Sequence, residues 1–182
     1  MIIAILKRLL PLIAASAILC LTACISEDED FGNSKELQIG DSLPGFIIEM
    51  NNGEIITTQD LKGRCAVIAF FHTGCPDCQA ELPILQKLQD ECDLDFQLIC
   101  ISRAETSASI LDYWKTHHLS LPFSAQPDCA LFERFAASRI PRIYISDKQL
   151  KILATFADNP IATYEQLLQA IARANTTTPE GE

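Results

Sequence analysis

An α/β domain built on a central mixed β-sheet flanked by helices is the fold this sequence predicts, and three observations predict it. Ala66–Phe71 is a continuous apolar run and Phe96–Ile101 is interrupted only by Gln97, the pattern of strands covered on both faces. The segments after them repeat apolar residues one helical turn apart, as amphipathic helices do. Toward the C-terminus two β-rich runs stand around a tight turn. Strand–helix alternation in the middle argues parallel pairing, and the final pair adds an antiparallel edge.

The elements follow in order. Phe46–Met50 is β-rich, Asn52-Gly53 is a strong hairpin signal, and Glu54–Thr57 returns. Gln59–Gly63 is a turn or a single helical turn. After the first buried strand, Pro76–Asp90 is a helix with Leu82, Leu85 and Leu88 on one side. After the second, Thr106–His118 is a helix that buries Ile110 and Trp114, with His117 and His118 at its exposed end. Leu121–Ser124 is a short strand and Ala130–Ala137 a short helix. Arg142–Ser146 and Ile152–Phe156 pair across Asp147–Gln149. Asn159-Pro160 opens the last helix, with Asn as cap and Pro at the first helical position, and it runs to about Arg173.

Composition narrows the function. The chain has 182 residues, 48% of them apolar, enough for one packed domain. Its formal net charge of -10 excludes the electrostatic footprint of a nucleic-acid binder. Residues 1–23 hold a basic pair, Lys7 and Arg8, and an apolar run, Leu9 to Leu21, too short for a comfortable membrane span. The run ends in Leu21-Thr22-Ala23-Cys24, which resembles the lipobox of bacterial lipoproteins. That resemblance implies a signal peptide over 1–23, a lipid on Cys24 and a place on the extracytoplasmic face of a bacterial envelope. An ordinary signal peptide is the alternative. Residues 24–36 are then an acidic tether, 37–174 the folded domain, and 175–182 a polar tail.

One motif carries chemistry: Cys75-Pro76-Asp77-Cys78, at the junction of a buried strand and a helix. A cysteine at a helix N-terminus meets unpaired N–H groups and the positive end of the macrodipole, which favour thiolate. A second cysteine one turn later can close or resolve a disulfide. Half a zinc site is the competing reading. It would need two more ligands at usable spacing, and His117-His118 stand far along the chain. No histidine follows Cys78 directly, so this is not a haem-attachment motif.

The segment Phe70-Phe71-His72-Thr73-Gly74-Cys75-Pro76-Asp77-Cys78-Gln79-Ala80-Glu81-Leu82-Pro83 resembles the F-W-x-x-W-C-x-P-C-x-x-E-x-P stretch of thioredoxin-like proteins, and most of all the TlpA/ResA-type envelope thiol–disulfide oxidoreductases. The likeness extends over about Ile39 to Ala174. It implies a thioredoxin-like fold, with Thr106–Ser124 as the family's helix–strand insertion and Pro83 as the proline in the active-site helix. It implies that Glu81 exchanges protons near the cysteines, whereas position alone equally suits a first-turn acid that complements the dipole. It implies that Ile140-Pro141 is a cis pair facing the disulfide and holding substrate; an ordinary strand-entry proline is the alternative. Activity would be disulfide reduction in exported proteins, with electrons from a membrane thiol carrier and no cofactor. This chain departs from the pattern at Gly74, which replaces a tryptophan, at His72-Thr73, and at Asp77, whose charge opposes thiolate.

Other classes stay open. A peroxiredoxin-like peroxidase would use one cysteine, yet its P-x-x-x-T-x-x-C context is missing from this segment. A metal carrier of the same fold, or a binding lipoprotein with a static disulfide, would keep the fold without the catalysis. Of the remaining cysteines, Cys65 opens one strand and Cys92 precedes the next, so both are expected at the sheet edge opposite Cys75. A Cys65–Cys92 disulfide and buried thiols are both compatible with that placement. Cys100 is expected inside its strand, and Cys129 has no evident place.

Overall fold

The computed structural model describes residues 36–177, so Cys24, the leader, most of the tether and the end of the tail lie outside the described residues. Strands β1 (Ile47–Glu49) and β2 (Ile55–Thr57) form a separate hairpin, in which Gly53 takes the φ of +83° its turn needs. The main sheet has five strands: β3 (Ala66–Phe71), β4 (Gln97–Ser102), β5 (Phe123–Ser124), β6 (Arg142–Ser146) and β7 (Ile152–Phe156), in the order β5-β4-β3-β6-β7. The β3–β4 and β4–β5 pairs are parallel, while β6 and β7 add antiparallel neighbours. Helices α1 (Pro76–Glu91), α2 (Ser107–His117) and α3 (Tyr164–Thr176) complete the layers. The expected α/β thioredoxin-like architecture is present, hairpin and insertion included.

The unbroken apolar run of β3 follows from its central place, because alternate side chains feed two different cores. Val67, Ala69 and Phe71 pack with Leu98, Cys100, Ile143 and the buried faces of the three helices. Ala66, Ile68 and Phe70 point the other way, into a core with Ile48, Ile56, Phe132, Phe135 and Tyr144. Phe70 anchors that second core, its ring centroid 4.8 Å from that of Phe135 and 5.4 Å from that of Phe132. Trp114 packs in the first core, as expected, and donates from Nε1 to the Leu121 carbonyl at 3.0 Å.

Three elements differ from the sequence expectation by more than a residue or two at an end. The last helix opens at Tyr164, not at Asn159-Pro160, which lies in the preceding loop as a cis peptide. Thr163 caps it: its hydroxyl accepts from Gln166 N–H, and Gln166 reaches back to Thr163 N–H, satisfying two donors at once. Ala130–Ala137 holds only a 3-10 turn, Phe132–Arg134. Leu131, Phe132, Phe135 and Ala136 enter one core while Glu133 and Arg134 stay exposed, so the segment buries one face although only its middle is helical. The strand expected at Leu121–Ser124 shrinks to Phe123–Ser124.

Candidate active site

Strand β3 ends at Phe71, and three residues, His72 to Gly74, lead into α1. Cys75 is the N-cap of that helix, in extended conformation, with Pro76 at the first helical position. The turn is closed by Cys75 N–H on the His72 carbonyl at 3.0 Å and by Gln79 N–H on the Cys75 carbonyl at 2.9 Å. Cys75 thus occupies the positive end of the helix dipole, where negative charge is stabilised. Its side chain is partly exposed, whereas Cys78, one turn inside, is wholly buried. The two sulfurs are close enough to share a side-chain hydrogen bond. Burial pushes the Cys78 thiol far above its ordinary range, a backbone hydrogen bond from His72 works against this, and Cys75 and Glu81 add to the rise.

Two features from distant parts of the chain complete the edge. The peptide bond Ile140-Pro141 is cis, and the Cys75 thiol donates to the Ile140 carbonyl at 3.5 Å. Glu81 is 2% exposed, and its Oε1 accepts from Ala162 N–H at 3.1 Å. Burial raises its carboxyl to about 7, Ala162 N–H opposes the rise, and Asp77 adds to it. Cys75, Cys78, Glu81, Ile140 and Pro141, five positions singled out from the sequence, therefore meet at one sheet edge.

A further set at this edge was not expected from the sequence. Glu105, on the loop between β4 and α2, accepts from Thr73 N–H at 2.9 Å and from the Thr73 hydroxyl. His72 Nδ1 lies 4.0 Å from Glu105 Oε2 and accepts Gly74 N–H at 2.9 Å. A β-carbon at position 74 would stand 3.2 Å from that same Nδ1, so a larger residue there would push the imidazole aside. No local signal marks Glu105, which is 32 residues from Thr73.

The other cysteines lie elsewhere. Cys65 and Cys92 share the opposite end of the sheet as expected, and both are thiols. Burial pushes Cys65 up to about 12, with Asp95 and then Cys92 adding to it. Cys100 is buried in β4 and likewise raised to about 12, mainly by burial. Cys129 is buried in the segment between β5 and the 3-10 turn at Phe132–Arg134. Among the described residues no group of three or more His, Cys, Asp or Glu side chains is arranged to hold a metal ion.

Fold and dithiol together define a thioredoxin-like protein with a Cys-x-x-Cys centre at a strand–helix junction. The Redoxin family model matches residues 38–171, and the chain belongs to the Redoxin family. The thiol–disulfide oxidoreductase ResA of Bacillus cereus is 25% identical over 124 residues, covering 68% of this chain and 72% of the relative. ResA of Bacillus subtilis is 20% identical over 144 residues, covering 76% of this chain and 80% of the relative. Among solved structures, StoA from Bacillus subtilis has a TM-score of 0.61 at 23% identity and covers 70% of this chain and 96% of its own. The exposed lipoprotein thioredoxin Etrx1 of Streptococcus pneumoniae has a TM-score of 0.61 at 20% identity and covers 71% and 99%. These two share the fold. Family, relatives and the paired cysteines make this chain an oxidoreductase of the thiol–disulfide class.

Proposed function

We propose that the chain reduces disulfides of exported proteins, with Cys75 as the attacking thiol and Cys78 as the resolving one. The observation that carries this reading is the asymmetry of the pair: Cys75 is reachable beside the Ile140 carbonyl, while Cys78 is sealed within α1. Cys75 thiolate attacks one sulfur of the substrate disulfide, a Cys75–substrate bond forms, and the other substrate sulfur leaves as thiolate and takes up a proton. Cys78 then loses its proton and attacks Cys75 Sγ. The first substrate thiol is released, and a Cys75–Cys78 disulfide remains. Two electrons have passed from the dithiol to the substrate.

Glu81 supports the second step. It follows Cys78 by one turn, and a carboxyl raised to about 7 is poised to take a proton near neutral pH. The cis Ile140-Pro141 segment exposes a carbonyl beside Cys75, a place where the substrate backbone can be held. Cys24 as a lipid anchor and a membrane thiol carrier as electron donor complete the reading. The anchor rests on the lipobox resemblance at Leu21–Cys24, and the donor on the resemblance of the Cys75–Cys78 segment to envelope thiol–disulfide oxidoreductases.

The test is trapping. Cys78→Ser, expressed in an envelope that makes disulfides, is expected to accumulate mixed disulfides on non-reducing gels, and Cys75→Ser is not. Equal trapping by both, or heavier trapping by Cys75→Ser, reverses the roles. Cys24→Ser is expected to leave the membrane fraction, and retention there would refute the anchor.

A further inference from the structure

We propose that Glu105 is a positioning residue for the dithiol, acting on Cys75 through Thr73 and His72 without touching it. The proposal rests on the Cys75 and Cys78 roles given above. Its basis is a carboxylate, 6% exposed, whose two oxygens both face the three-residue lead-in to α1. One accepts Thr73 N–H, the other the Thr73 hydroxyl, so the backbone and side chain of one residue are held by one group.

The clamp continues into the helix. The Thr73 carbonyl accepts from Gln79 Nε2 at 2.7 Å, tying the lead-in to the first turn of α1. His72 sits between the clamp and both cysteines. Its carbonyl accepts Cys75 N–H, and a backbone hydrogen bond from His72 favours the charged form of Cys78. Its imidazole is folded back onto Gly74 N–H, within 4.0 Å of Glu105. Movement of Thr73 therefore moves groups that contact each sulfur's residue.

Glu105 is itself braced from behind. Its N–H donates to the Gln126 carbonyl at 2.9 Å, and Ala104 N–H donates to the Asp128 carbonyl at 3.1 Å. Ser102 Oγ accepts Gln126 N–H at 2.8 Å. Ala104 takes a φ of +55°, and this loop conformation delivers the carboxylate to Thr73. The segment 126–128, beyond the insertion, thus has a hydrogen-bonded path to the lead-in of α1.

Two variants weaken the clamp to different degrees. Glu105→Gln keeps an oxygen and removes the charge, while Glu105→Ala removes both. In Glu105→Gln, which loses one of the two oxygens that hold Thr73, the rate of alkylation of Cys75 in the reduced protein at pH 7 and the equilibrium with glutathione are each expected to shift about threefold. In Glu105→Ala, kcat for disulfide reduction is expected to fall about tenfold with KM within about twofold, the mark of lost positioning. If Glu105→Ala does not fold, Glu105→Gln decides alone. Alkylation and glutathione equilibria that coincide with wild type in Glu105→Gln overturn the proposal. Alkylation is read without any catalytic turnover. A wild-type protein that alkylates at Cys75 but never exchanges disulfides refutes the proposed function, and the Glu105 outcome still stands on its own.

Discussion

Cys75 and Cys92 cap the two ends of the same helix, both partly exposed, and their surroundings differ in helix polarity and neighbouring charge. Cys75 is the N-cap of α1, at the positive end of its dipole, beside the Ile140 carbonyl and partly open to solvent. Cys92 is the C-cap, at the negative end, where its N–H donates to the Leu88 carbonyl. Each has a buried partner: Cys78 beneath the first, Cys65 near the second. At the second end Asp95 and Asp147 add to the burial that holds Cys65 protonated. At the first, the buried acid is Glu81, itself raised to about 7 and able to exchange a proton near neutral pH. Two cysteine pairs on one sheet are thus set up for different work by helix polarity and neighbouring charge. Cysteine count alone would not separate them.

The comparison breaks most sharply by removing each thiol. Cys75→Ser is expected to abolish disulfide reduction, and Cys92→Ser to leave turnover within about twofold of wild type, measured with a protein disulfide substrate. Comparable losses in both would mean that the far pair takes part in the reaction.

Glu81 sharpens the difference in a stability measurement. Its carboxyl is raised to about 7 in the folded chain, so its ionised form is disfavoured by folding. Stability from this group is complete below the unfolded value near 4.5 and is lost as pH rises toward 7. Above that the cost is on the order of 3 kcal/mol. Glu81→Gln is therefore expected to raise Tm at pH 8 relative to wild type, with the two converging near pH 4. Parallel curves across the range would remove the buried, shifted carboxyl. The same variant is expected to flatten the pH dependence of disulfide reduction around neutrality.

A smaller effect separates the two helix ends directly. Iodoacetamide is expected to label Cys75 faster than Cys92 by roughly tenfold, the consequence of opposite dipole ends. Cys65 is expected to react only after unfolding, since it is fully buried. Peptide mapping over time reads all three. The smallest effect lies at the loop that serves Glu81. Thr163→Ala removes the cap of α3 and is expected to cost about 1 kcal/mol in denaturant unfolding. Because Ala162, which donates to Glu81, directly precedes that cap, the variant is also expected to move the pH dependence seen in Glu81→Gln.

Much of this was legible in the residues themselves. Ala66–Phe71 is apolar at every position because both faces are covered, and that pattern needs only β3 and its alternation to be read. Asn52-Gly53 announced the hairpin, and the Cys-x-x-Cys at the end of a buried strand announced the dithiol. Asn159-Pro160 misled, because a good local start signal lost to the reciprocal cap of Thr163 and Gln166 a few residues on. In the 130–137 segment the apolar spacing of a helix face is real, yet a 3-10 turn over Phe132–Arg134 is enough to bury it.

The sequence by itself determined the order of strands and helices, the position of Cys75 at a helix start, and the spacing that lets Cys78 reach it. Each of these depends on residues within a turn or a strand of one another, where propensity, periodicity and capping act. Only the tertiary structure decided that Glu81 is buried against Ala162, 81 residues away, that the Ile140 carbonyl meets Cys75 across 65, and that Glu105 grips Thr73 across 32. Burial, desolvation and long-range hydrogen bonds belong to the packed chain as a whole, and it is these that give two similar thiol pairs different chemistry.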